Sequence, residues 1–141
     1  ANPALGMRAL RICLTRPEIF KTQLRALYRA SAYGKLAIMF PMVSSLWEVQ
    51  ETKRMCSVVM AELKKERIPY DENLELGVMI ETPAAVMIAP ELAAHEAGIC
   101  GELAADSSLT ETFIKMGVDE ISVSPRAVLP IRNAVRNSSS V

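Results

Sequence analysis

Leu74-Glu75-Leu76-Gly77-Val78-Met79-Ile80-Glu81-Thr82-Pro83-Ala84-Ala85 passes from a strand to a helix within three residues. The run from Leu74 to Ile80 reads as a strand, like the compact apolar run from Leu36 to Phe40, which has the pattern of a fully buried parallel strand. Thr82 and Pro83 then supply a helix N-cap and a first-turn proline. Glu81 stands at the join. In an α/β barrel the carboxyl end of a strand is where chemistry is done, so Glu81 is the first candidate functional residue. Ile99-Cys100-Gly101-Glu102-Leu103-Ala104-Ala105-Asp106 repeats the arrangement, with Cys100 closing a very short apolar run.

The rest of the chain alternates in the same way. Residues 1–31 read as helix with a break: Ala9, Leu10, Ile12, Cys13 and Leu14 form an apolar stretch, and Thr15-Arg16-Pro17-Glu18 offers a capping box. The second helix carries Ile19, Phe20, Leu24 and Leu27 on one side and ends between Ser31 and Gly34. Leu36 to Phe40, closed by Pro41, is a strand. Ser45-Leu46-Trp47-Glu48 opens a long helix to about Lys65, with Leu46, Val49, Cys56, Met60 and Leu63 on its apolar face. Ser108 to Glu111 begins a helix that stops at Gly117. Glu120 to Val123 is the fourth strand, and Ser124-Pro125 is placed to cap a last helix. Strand and helix in regular alternation predict parallel βαβ units. The fold class is α/β, part of a (β/α)8 barrel, with about four strands represented. A whole barrel takes about 250 residues, so residues 1–141 form a partial barrel domain.

Composition narrows the partners. Sixteen basic and sixteen acidic residues cancel, which gives no electrostatic footing for nucleic acid or an anionic membrane. No apolar run reaches the roughly 18 residues of a membrane span, and the amino end lacks a signal-peptide layout. Cys13, Cys56 and Cys100 form no CxxC pair, so a zinc site is not expected. Cys13 and Cys56 read as buried thiols of a cytoplasmic protein.

Several runs together carry a resemblance. They are residues 2–11 (Asn-Pro-Ala-Leu-Gly-Met-Arg-Ala-Leu-Arg), Glu18 to Ser31, Ile38 to Met42, Gly77 to Ala85, Cys100 to Ala104 and Asp119 to Pro125. The chain resembles the phosphoenolpyruvate (PEP)-binding barrel of the Enzyme I family of the bacterial sugar phosphotransferase system, a branch of the PEP-utilising enzymes. Pyruvate phosphate dikinase and PEP synthase share the barrel and similar Glu-Thr-Pro and Cys-Gly-Glu motifs. The Ala-Leu-Gly-x-Arg-Ala and Gly-Glu-Leu-Ala runs favour Enzyme I. A pyruvate-type aldolase or lyase, which also uses a carboxylate at a strand end, lacks the Cys-Gly-Glu-Leu-Ala run.

The resemblance assigns roles. Arg8 matches an arginine that grips substrate, a task suited to a guanidinium's paired donors. Glu81 matches a magnesium ligand, hard oxygen for a hard cation. Cys100 matches the proton donor, a thiol protonated near neutral pH. Glu102 and Asp106 are weaker candidates that serve equally as turn or cap residues. Met39 and Met42 flank a strand end and can line the pocket or fill the core. The implied cofactor is magnesium. The implied partners are PEP, a phosphocarrier protein reached through a separate amino-terminal domain, and a second copy in a homodimer.

The departures are specific. Family barrels carry a Gly-Thr-Asn-Asp-Leu-Thr-Gln segment after the Glu-Thr-Pro helix, with a metal-binding Asp. Here Pro90-Glu91-Leu92-Ala93-Ala94 runs directly into His95-Glu96-Ala97-Gly98-Ile99-Cys100. His95 resembles a family histidine beyond that segment and is expected on a helix, not as phosphoryl acceptor. Loss of a central strand should leave its neighbours unpaired, with backbone groups unmet. The expectation is therefore a portion of a longer enzyme, inactive by itself. The alternative is a shortened, non-catalytic module that keeps a dimer or partner surface.

Overall fold

The computed structural model describes residues 6–92 and 96–138. Among them, four strands form one parallel sheet: β1 (Ala37–Phe40), β2 (Glu75–Ile80), β3 (Glu96–Cys100) and β4 (Glu120–Ser122). They lie side by side in chain order. An order that never reverses is that of a barrel wall, whereas a doubly wound sheet switches direction part-way. Helices fill the connections. They are α1 (Leu10–Thr15), α2 (Pro17–Ser31), α3 (Leu46–Lys65), α4 (Pro83–Met87), α5 (Ala89–Leu92), α6 (Gly101–Ala105), α7 (Thr110–Met116) and α8 (Val128–Arg136). No helix among the described residues is long and apolar enough to cross a membrane.

Register sorts the sheet into two faces, because partnered residues of a parallel ladder point the same way. Ile38, Phe40, Val78, Ile80, Ala97 and Ile99 share one face, and all six are buried. Phe20, Leu24 and Tyr28 of α2 and Val49, Met55, Cys56, Val59 and Leu63 of α3 belong to the same core. Phe20 meets Phe40 edge-to-face at 6.2 Å, a favoured aromatic geometry. The other face carries Met39, Gly77, Met79, Gly98 and Cys100. A methyl group on Gly98 would stand 3.0 Å from Cε of Met39, so glycine is what lets Met39 lie across the sheet.

Ser45 caps α3 as its sequence demands. Its hydroxyl accepts from the Glu48 N–H while the Glu48 carboxylate accepts from the Ser45 N–H, a complete capping box. Thr82 caps α4, and Gly117 ends α7 with the left-handed φ of 81° for which glycine is suited.

Several expectations need correction. Thr15 does not cap α2. Its hydroxyl donates to the Arg11 carbonyl within α1, and Pro17 starts α2 without a side-chain cap. Ser124-Pro125 opens a turn in which the Ala127 N–H donates to the Ser124 carbonyl, and α8 begins only at Val128. Ile19 and Leu46 fall outside their apolar stripes and are exposed. Thr52, Met55 and Val59 complete the α3 stripe instead. Cys56 is buried, but Cys13 is half-buried on the wall of a cleft. The very short apolar run before Cys100 belongs to a five-residue strand, β3, which pairs with β2 on one side and β4 on the other. The expected gap between β2 and β3 is closed by direct pairing, Gly77 with Glu96 through Ile80 with Ile99. His95 lies outside the described residues.

Candidate functional site

The carboxyl ends of β1, β2 and β3 bring three segments together. β2 ends at Ile80, which puts Glu81 in the short link before α4. β3 ends at Cys100, the residue before α6. Because β2 and β3 are partners, Glu81 and Cys100 meet: the Cys100 Sγ–H donates to Glu81 Oε2 at 3.4 Å. The other oxygen, Oε1, accepts from the Met42 N–H at 2.7 Å. Met42 follows β1 and Pro41, and it adopts a φ of 61°, uncommon for a residue with a side chain. A second bond ties the same two segments, the Thr82 hydroxyl donating to the Val43 carbonyl at 2.7 Å. Thr82 is buried and Glu81 half-buried.

Electrostatics follow from that contact. Burial pushes the Cys100 thiol up from its ordinary 9.0 to about 11, and the hydrogen bond to Glu81 and its negative charge push in the same direction. The thiol is therefore protonated at neutral pH and not a thiolate.

The sequence placed three residues in one site, and the structure joins two of them. Arg8 is exposed ahead of α1, and no hydrogen bond or ion pair among the described residues links it to Glu81 or Cys100. Its neighbourhood is nonetheless close to the strand ends. A cleft of about 200 Å³ is lined by Ala9 and Leu10 together with Phe40 and Pro41, which sets the start of α1 beside the end of β1. Glu102 lies in the first turn of α6, and Asp106 has a local role: it accepts from the Ser108 N–H and hydroxyl, which holds its carboxyl below the usual range.

Among the described residues no group of three His, Cys, Asp or Glu side chains is placed to hold a metal ion. Glu81 is a single carboxylate with one oxygen on an N–H and one on an S–H. This donor set suits a magnesium ion that arrives with substrate oxygens and water, and not one caged by protein. The contribution that sequence reasoning missed is the main chain of Met42. A backbone N–H leaves no trace in residue identity, and a positive φ at methionine has no sequence signal.

The chain is similar to known proteins along its length. The family model for the PEP-utilising enzyme, PEP-binding domain, matches residues 1–97 and 93–140. The phosphoenolpyruvate-protein phosphotransferase of Haemophilus influenzae is 36% identical over 188 aligned positions, covering 96% of this chain and 33% of the relative. That of Buchnera aphidicola from Schizaphis graminum is 33% identical over 190 positions, covering 98% and 33%. That of Staphylococcus epidermidis is 32% identical, with the same coverage. The chain thus spans about a third of the length of these relatives. The aligned stretches exceed the 141 residues of the chain, so the relatives carry further residues inside the matched region. The two parts of the family match overlap at residues 93–97, just ahead of the Cys100 strand end.

Proposed function

The chain belongs to the PEP-utilising enzymes, in their PEP-binding domain, and from that premise we propose that it is the portion of a phosphoenolpyruvate–protein phosphotransferase that holds PEP at the ends of β1, β2 and β3. The observation that carries this reading is the Cys100–Glu81 contact at two neighbouring strand ends. A carboxylate and a protonated thiol in contact at neighbouring strand ends are what this chemistry uses. Loss of the phosphoryl group leaves the enolate of pyruvate, which needs a proton at its methylene carbon. Cys100 supplies that proton from Sγ, forming a C–H bond as the S–H bond breaks, and the thiolate regains a proton from solvent.

Arg8 would grip the phosphate or carboxylate from the start of α1, completing the site only when substrate draws it in. Glu81 would offer one oxygen to magnesium, which when bound supplies positive charge against the phosphoryl oxygens. The phosphoryl group would pass to a histidine of a separate amino-terminal domain, then to a phosphocarrier protein serving sugar uptake in the cytoplasm. In this reading residues 1–141 are a partial barrel domain, and the full enzyme is a homodimer.

One observation favours a second reading, a non-catalytic module retaining a dimer or partner surface. Glu81 stands without a second acidic ligand among the described residues. An NMR titration of the chain with PEP and magnesium separates the two. The expected result is saturable shifts at the amides of Met42, Glu81 and Gly101, lost in Glu81→Gln and weakened in Arg8→Ala. Amides unmoved at millimolar PEP would reject PEP binding by this chain and leave the module reading.

A further inference from the structure

We propose that Met42 is a positioning residue: its left-handed backbone aims an N–H at Glu81 and so turns the other carboxylate oxygen toward Cys100. Three observations converge on it. The φ of 61° is strained for a side chain larger than glycine's, and such strain persists only where the surroundings hold it. The N–H so directed makes a 2.7 Å bond to Glu81 Oε1, shorter than is usual for N–H···O and as expected for a charged acceptor. The next residue on each segment adds the Thr82-to-Val43 bond, so the loop after β1 and the turn after β2 are fixed to each other at two adjacent positions.

A carboxylate on a free side chain could rotate about its last bond and lose the thiol. With Oε1 held by a main-chain donor, that rotation is stopped and Oε2 stays 3.4 Å from Sγ. Met42 acts through its backbone, so its side chain is replaceable and its conformation is not. The loop is pinned beyond Met42 as well, since the Ser44 N–H donates to Glu48 Oε2 at 2.6 Å at the start of α3. The inference rests on Glu81 and Cys100 forming one site, as the proposed function holds.

The test reads the S–H stretching band of Cys100, isolated as an infrared difference between the chain and its Cys100→Ser variant. Met42→Gly and Met42→Asn keep the N–H and tolerate positive φ, so the band should stay in place. Met42→Val disfavours that backbone, and the band should move to higher frequency, toward its position in Glu81→Gln. An unmoved band in folded Met42→Val overturns the proposal, as does an equal shift in Met42→Gly. Should Met42→Val not fold, Met42→Ala takes its place, with a smaller upward shift expected and no shift overturning the proposal. A purely structural role would lower the melting temperature of these variants without moving the band. No ligand is added, so failure of PEP binding rejects the proposed function while leaving this result to stand or fall separately.

Discussion

At Cys100 three influences act in one direction: burial, the hydrogen bond to Glu81, and the charge of Glu81 all disfavour the thiolate. Replacing Glu81 by Gln removes the charge and weakens the bond while leaving the burial. The Cys100 pKa should then fall from about 11 toward its ordinary 9.0 without reaching it. Thiolate absorbance followed against pH, as a difference from Cys100→Ser, gives the value directly. A pKa unchanged in Glu81→Gln would mean that burial alone sets it and that the carboxylate is not where the structure puts it. The identities of both residues were legible in the sequence because each closes an apolar run. Their contact was not, since it depends on β2 and β3 being adjacent, and that adjacency follows from pairing and not from composition.

At the scale of elements, the signals that proved readable are those in which one side chain completes one helix end. Ser45 with Glu48 forms both bonds of a capping box, and Thr82 accepts from the Ala85 N–H. Thr15 and Ser124 carry similar spacing and fail for local reasons. Thr15 is still inside α1 and bonds back to Arg11, and Ser124 is followed by a turn that delays α8 to Val128. A capping motif is read from four residues, but which hydrogen bond it makes depends on where the preceding element stops. Ser45→Ala should therefore cost about 1 kcal/mol of stability, seen as a lower urea midpoint at unchanged slope. Glu48→Ala combined with it should add little, because the two bonds belong to one box. Additive losses would show that Glu48 acts mainly through the Ser44 N–H.

The whole molecule is a barrel wall whose order, β1 to β4, could be anticipated from strand–helix alternation, although the direct join of β2 to β3 could not. Its core also sets its response to alkali. Burial raises the Cys56 thiol and, together with Cys56, raises the Tyr28 hydroxyl far above its ordinary value. Both groups hold their protons more tightly folded than unfolded. Their contribution is complete below about pH 9, the ordinary value of the more acidic group, and is lost as pH rises through the folded values. Melting temperature should thus fall above pH 9, and less so in Cys56→Ala measured against its own neutral value. A flat profile to pH 11 would contradict this.

Turnover is a separate matter at the same scale. Phosphoryl transfer needs charge compensation from several groups acting together, and among the described residues Glu81 is one carboxylate where a protein-held cation needs more. The relatives carry further residues within the matched region, and the two parts of the family match overlap at 93–97, from just after α5 into the first residues of the strand that delivers Cys100. The direct pairing of β2 with β3 keeps the thiol and the carboxylate in contact, and among the described residues no further acid joins them in a metal-holding group. The 141-residue chain should therefore release no pyruvate from PEP with magnesium present, as followed by proton NMR over hours. Pyruvate formation that disappears in Cys100→Ser would mean that Glu81, Cys100 and substrate-borne oxygens suffice. The charge compensation would then have to come from Arg8, and Arg8→Ala should abolish the activity as completely as the loss of the thiol.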